Sequence, residues 1–141
     1  TDKLSGSALP RRYPRSESRV AGTAIYYLLT NDTYSALHRL RGDEIYHFYA
    51  GAPVRVTLLM ESSSLSLHTL GSDFSAGQKC QLTVPAGVWQ GLRTSGDWAL
   101  MGTTVAPGFE FSDREMASAD LLAQFPRFAD QLRPLLSRDG A

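Results

Sequence analysis

An all-β fold, a sandwich or barrel with a short helical tail, follows from three features of the sequence. Short stretches rich in β-branched and aromatic residues recur between Thr23 and Val105, and turn residues separate them at regular intervals. Twelve Gly and seven Pro are scattered along 141 residues, which suits many short strands and turns. Helical periodicity is confined to the C-terminal end. The length fits one domain, able to bury roughly two-thirds of its unfolded surface.

The chain divides into an arm over residues 1–22, a barrel over 23–116 and a helical tail over 117–141. The arm is polar and Arg-rich (Arg11, Arg12, Arg15, Arg19), and Pro10 and Pro14 break any helix. It is expected to be disordered or to run along the domain surface, with a strip binding anions as the rival reading. Thr23 to Thr30 favours a strand, and Asn31-Asp32 a turn. Tyr34 to Leu40 alternates after Ser35, Arg41-Gly42-Asp43 turns, and Glu44 to Tyr49 is a short aromatic strand closed by Gly51 and Pro53. Val54 to Met60 and Leu65 to Leu70 are strands around three serines. Gly71 to Lys79 is loop, Gln81 to Val84 strand, and Pro85-Ala86-Gly87 a tight turn. Val88 to Thr94 and Trp98 to Val105 complete about eight strands. From Ser118 to Leu136, leucines and phenylalanines recur at helical intervals, and Pro126 and Pro134 split the stretch into two short helices.

Composition removes several classes of function. Fourteen basic and fourteen acidic residues cancel, where general binding to nucleic acid or anionic membranes wants a basic excess. One cysteine, Cys80, leaves no internal disulfide and no Cys-based zinc cage, and is expected to be a small buried filler. No apolar run approaches the roughly 20 residues that span a bilayer, and no signal segment opens the chain. A cytoplasmic protein is expected, although a start at Thr1 leaves a trimmed leader open. Gly-rich phosphate loops and the Gly-x-Ser-x-Gly elbow are absent.

What remains is one constellation. His38-Arg-Leu-Arg-Gly-Asp-Glu44-Ile-Tyr-His47 carries two of the three histidines, and His38, Leu40, Glu44 and Gly51 are followed by Pro85-Ala-Gly-Val-Trp-Gln90. These offsets resemble the two motifs of the cupin superfamily, His-x-His with a Glu four on and a Gly seven later, then Pro-x-Gly-x-x-His. Thr23-Ala-Ile-Tyr-Tyr-Leu-Leu, His38 to Gly51, Pro85-Ala-Gly-Val-Trp-Gln-Gly and Thr104-Val-Ala-Pro-Gly-Phe-Glu-Phe look like the cupin-5 group, largely a domain family of unknown function. The likeness spans about Thr23 to Glu115. At the front the chain departs from it: Ser7-Ala-Leu-Pro-Arg-Arg-Tyr-Pro stands where such proteins usually carry a Glu-Gly-Gly-Tyr type of segment. The resemblance implies a cupin-type double-stranded β-helix (a jelly-roll barrel), a ligand site inside one end, and pairing as a homodimer through sheet faces, to which an outward Ile45 and Tyr49 would contribute.

The usual cupin metal site takes three His and a Glu, and the corresponding positions here hold His38, Leu40, Glu44 and Gln90. Leu cannot coordinate, so a metal is not favoured; if a divalent ion binds, His38, Glu44 and Gln90 are its reduced ligand set. Alternation puts His38 and Leu40 on one face, and Glu44, Tyr46 and Phe48 together, with Ile45, His47 and Tyr49 opposite. A His beside a carboxylate in an aromatic-lined cavity is a candidate acid–base pair. His38, Glu44 and Tyr46 are therefore the candidate catalytic residues, with Tyr26, Tyr46 or Tyr34 as proton donor. Tyr26, Phe48, Trp89, Gln90 and Arg39 are candidate substrate contacts. His47 and His68 are read as outward, and Trp98 as core or pocket wall. The expected function is binding of a small sugar-like or partly apolar molecule by an isomerase- or epimerase-like enzyme. A non-catalytic binding protein and a metal-dependent cupin remain as alternatives, and the sequence does not separate catalysis from a satisfied polar network.

Overall fold

Side-chain alternation sorts the chain into two facing antiparallel sheets, in a computed structural model that describes residues 2–137. Thr1 of the arm and residues 138–141 of the tail lie outside the described residues. The strands are β1 (Lys3–Ser5), β2 (Ser18–Val20), β3 (Thr23–Thr30), β4 (Ser35–Leu40), β5 (Asp43–Gly51), β6 (Val54–Met60), β7 (Ser64–Leu70), β8 (Gln81–Val84), β9 (Trp89–Thr94), β10 (Trp98–Ala106) and β11 (Arg114–Met116). One sheet runs β3-β10-β5-β8, the other β11-β4-β9-β6-β7, and β1 pairs with β2. Two short helices follow, α1 (Ala119–Gln124) and α2 (Ala129–Leu132), each continued by a 3-10 turn containing one of the two prolines. No helix among the described residues is long and apolar enough to cross a membrane.

Two cores result. Between the sheets, Leu29, Tyr46, Val56, Leu58, Leu92 and Met101 interdigitate, which closes the barrel interior along most of its length. On the outer face of the five-stranded sheet, Leu37, Leu59 and Trp89 meet Leu121, Leu122, Leu132 and Leu135 of the tail. Gly91 makes that docking possible, because a Cβ there would stand 3.0 Å from the Leu135 side chain. The tail is thus the cover of one sheet.

Three elements were not read from the sequence: β1, β2 and β11. The arm is folded onto the barrel, with Leu9 and Tyr13 buried. Arg19, 3% exposed, donates to both carboxylate oxygens of Asp113 at 2.6 and 3.0 Å and to Glu17 at 2.7 Å. Glu17 in turn accepts from Arg41 at 2.8 Å. Arg19 is thus held by carboxylates of the chain itself and is not available to an external anion, while Arg15 donates to the Gly6 carbonyl at 2.8 Å. Cys80 is exposed and not a buried filler, because it precedes β8 at the edge of its sheet. Trp98 is 47% exposed on the outer face of β10 and lines neither core nor cavity.

Candidate functional site

At one end the two sheets part around a cavity of about 470 Å³, a volume typical of small-molecule sites. The five-stranded sheet supplies Ser35, Ala36, His38 and Leu40 from β4, and Arg114 and Met116 from β11. The opposite wall is Ile25 and Tyr27 from β3, Glu44 and Tyr46 from β5, and Thr103 and Val105 from β10. Phe109 and Phe111, between β10 and β11, complete the opening. In β4 the register with β9 shifts between Ser35 and His38. Such an irregularity re-aims side chains, and here Ser35, Ala36 and His38 all reach the cavity.

His38 is the best-defined group of the site. It is 8% exposed, and its Nδ1 lies 2.7 Å from the Ala36 carbonyl oxygen. A carbonyl only accepts, so Nδ1 carries the proton of this bond. Burial lowers the imidazole pKa from its ordinary 6.5, so the ring is neutral at pH 7. A neutral ring protonated at Nδ1 has a bare Nε2.

That nitrogen faces Glu44 Oε2 at 4.0 Å, too far for a direct hydrogen bond. One oxygen atom placed at ordinary hydrogen-bonding distance from each would reach both. Glu44 Oε2 accepts from Tyr46 Oη at 3.1 Å and from Gln90 Nε2 at 2.8 Å, and Thr103 also bonds the carboxyl. Burial raises the Glu44 pKa from 4.5, while those three donors act against it. Gln90 is 1% exposed, and its Oε1 is buried with no partner. An amide turned over would accept from a protonated Glu44 as it now donates to a carboxylate, so Gln90 suits either state.

The phenols divide by position. Tyr46 is fully buried, its pKa is pushed well above the ordinary 10 by burial and then by Glu44, and its hydroxyl is engaged with Glu44. Tyr34 borders the cavity, but its hydroxyl donates to the Leu136 carbonyl at 2.7 Å. Tyr27, which sequence reading passed over, lines the wall facing His38. Its pKa is raised by burial, so it holds its proton at neutral pH.

Of the residues named from sequence, the structure brings His38, Glu44, Tyr46 and Gln90 together, and four others lie elsewhere. Tyr26 is 79% exposed on the outer face of β3, because Thr23, Ile25 and Tyr27 take the inner positions. Trp89 alternates with Gln90, so it faces outward into the core under the tail. Arg39 alternates with His38 for the same reason. Its guanidinium lies 4.7 Å from the Trp89 ring centroid and pairs with Glu115 at 2.8 Å. Phe48 points inward but packs on the barrel core beyond the cavity. His47 is on the outer face, within 2.7 Å of Thr104 Oγ1. His68, expected to be outward, pairs across β6 with the fully buried Val56 and is half-buried, while Leu67 is the exposed neighbour.

The donor set does not fit the metal that cupin barrels commonly hold. His38 and Glu44 are two candidate protein ligands, Leu40 fills the place of a third, and the neutral amide of Gln90 is a weak donor with no charge to contribute. No group of three or more His, Cys, Asp or Glu side chains is gathered among the described residues.

Comparison with known proteins agrees with this architecture. Protein SO0799 from Shewanella oneidensis, known as a crystal structure, is similar at 34% identity with a TM-score of 0.81, over 84% of this chain and 77% of that one. A hypothetical protein from Leishmania major shares the fold at 24% identity and a TM-score of 0.81, over 97% and 88% of the two chains. A dTDP sugar isomerase from Desulfovibrio desulfuricans shares the fold at 20% identity and a TM-score of 0.59, over 79% and 73%. No curated protein matches. Residues 3–117, including the whole of the divergent segment Ser7 to Pro14, match the family described as cupin superfamily, DUF985. The chain therefore belongs to the Cupin_5 family of the cupin superfamily.

Proposed function

We propose that the cavity is the site of an isomerase- or epimerase-like acid–base enzyme acting on a small, partly apolar or sugar-like molecule. The observation that carries this reading is the neutral His38, held by the Ala36 carbonyl with Nε2 bare and facing Glu44. A substrate C–H made acidic by a neighbouring carbonyl would lose its proton to Nε2. The imidazolium so formed is stabilised by the Glu44 carboxylate 4.0 Å away. Tyr27, on the opposite sheet, would give a proton to the other face of the substrate and recover one from solvent, to which His38 releases the proton it took. One proton leaves and one enters, so the product is an isomer.

Solvent exchange tests this without a named substrate. A small-molecule extract incubated in D2O with the protein should contain a compound that gains one deuterium, detected by mass spectrometry. His38→Ala, checked to melt as wild type does, should slow that gain by roughly 10²–10⁴-fold, the usual contribution of a general base. A compound that binds but never exchanges would instead support a non-catalytic binding protein.

A further inference from the structure

Among the described residues Arg114 is the arginine that lines the cavity, and it differs in one respect from the arginines near it. Arg39 pairs with Glu115 and Glu61, Arg41 with Glu17 and Asp113, Arg19 with Asp113, Glu17 and Glu110, and Arg12 lies 3.7 Å from Asp43. Arg114 is exposed, lines the cavity, and takes part in no salt bridge among the described residues. Its guanidinium lies over the Phe111 ring, 5.5 Å from the centroid, a cation–π contact that uses none of its N–H hydrogen-bonding capacity.

Register fixes where this cation stands relative to the base. Met116 lies opposite His38 and Arg114 opposite Leu40, so Arg114 and His38 are diagonal neighbours with Cα atoms about 7–8 Å apart. Around the same opening Ile25, Phe111 and Met116 are 61%, 77% and 40% exposed. Such a rim offers apolar area to the apolar part of a ligand entering the cavity.

We infer that Arg114 is the anion-recognising residue of the cavity, and that its ligand is a small organic anion, a carboxylate or phosphate on a partly apolar body. The anion is held at the mouth by the guanidinium, the apolar part lies against Ile25, Phe111 and Met116, and the reacting end reaches His38. This assignment rests on the reading of the cavity as the acid–base site, and adds to it the charge of the substrate.

Protein-observed NMR titrations of the whole chain test it, using 3-phenylpropionate, phenyl phosphate and the neutral 3-phenylpropanamide, with the His38 ring resonances reporting occupancy of the cavity. Either anion or both should bind about tenfold or more tightly than the amide, as expected for charge-assisted bonds, and the tighter of the two identifies the anion. Arg114→Gln should abolish the preference, and Arg114→Lys should keep part of it, since charge remains without the fork. Saturable binding of amide and anions alike, or a preference untouched in Arg114→Gln, overturns the role of Arg114 while leaving the cavity as a ligand site. Failure of every probe to move His38 counts against both.

Discussion

At the scale of single residues, the site is two buried titratable groups displaced in opposite directions. For His38 the folded pKa is below 6.5, so its contribution to stability is complete above that value and is lost as pH falls through the folded pKa. For Glu44 the folded pKa is above 4.5, so its favourable contribution is complete below 4.5 and is lost as pH rises through the folded pKa. An ionised Glu44 therefore costs stability at neutral pH, the expense of holding a carboxylate beside the base. Glu44→Gln should melt a few degrees higher than wild type at pH 8, with the gap narrowing as pH falls toward 4.5. The new amide can also satisfy the orphaned Gln90 Oε1. Melting curves across pH 4.5–8 check this, and a gap that widens on acidification would show the sign to be wrong. Deuterium exchange should fall in the same variant, since the imidazolium loses its counter-charge.

At the scale of elements, the eight central strands were legible because turn residues bound them and their content favours extended chain. The phase of each strand was harder. In β3 both faces of Thr23-Ala-Ile-Tyr-Tyr-Leu-Leu are apolar, so nothing in the sequence says whether Tyr26 or Tyr27 points inward. Trp89 and Arg39 were legible errors, since each adjoins a residue already assigned inward. β11 was not legible, because its three residues carry no period, and its pairing with β4 depends on Asp113 being anchored to Arg19, 94 residues away in sequence. That anchor carries its own expectation. Arg19→Ala breaks a buried pair and leaves Asp113 with Arg41 alone, 3.6 Å away, at a cost of about 3 kcal/mol, the low end for breaking a buried pair. Chemical denaturation measures the loss, and tryptic cleavage at Arg11, Arg12 or Arg15 should accelerate as the arm frees. A loss below about 1 kcal/mol would mean that Leu9 and Tyr13 hold the arm without the ion pair.

At the scale of the whole molecule, the two sheets are treated differently. The tail covers the outer face of one, and the outer face of the other presents Tyr26, Leu28 and Tyr49 at 79%, 57% and 53% exposure. Along β3, β5 and β10 that face carries no Lys, Arg, Asp or Glu between Ala24 and Leu28, Ile45 and Tyr49, or Trp98 and Thr104. An uncharged face meets its own copy without like-charge repulsion, and we propose that two chains pair through it. Sedimentation should give a dimer at micromolar concentration, and Tyr26→Lys with Tyr49→Lys should give a monomer that still folds. A wild-type monomer at tens of micromolar would dismiss the pairing while leaving the cavity, on the opposite side of the sheet, untouched.

The chemistry of the cavity depends on the protonation state of one ring, His38. Long-range proton–nitrogen correlation spectra of His38, followed through a pH titration, read it directly. A neutral ring at pH 7 is expected, with the proton on Nδ1, a bare Nε2, and a midpoint below 6.5. A proton on Nε2, or a midpoint above 6.5, would contradict it.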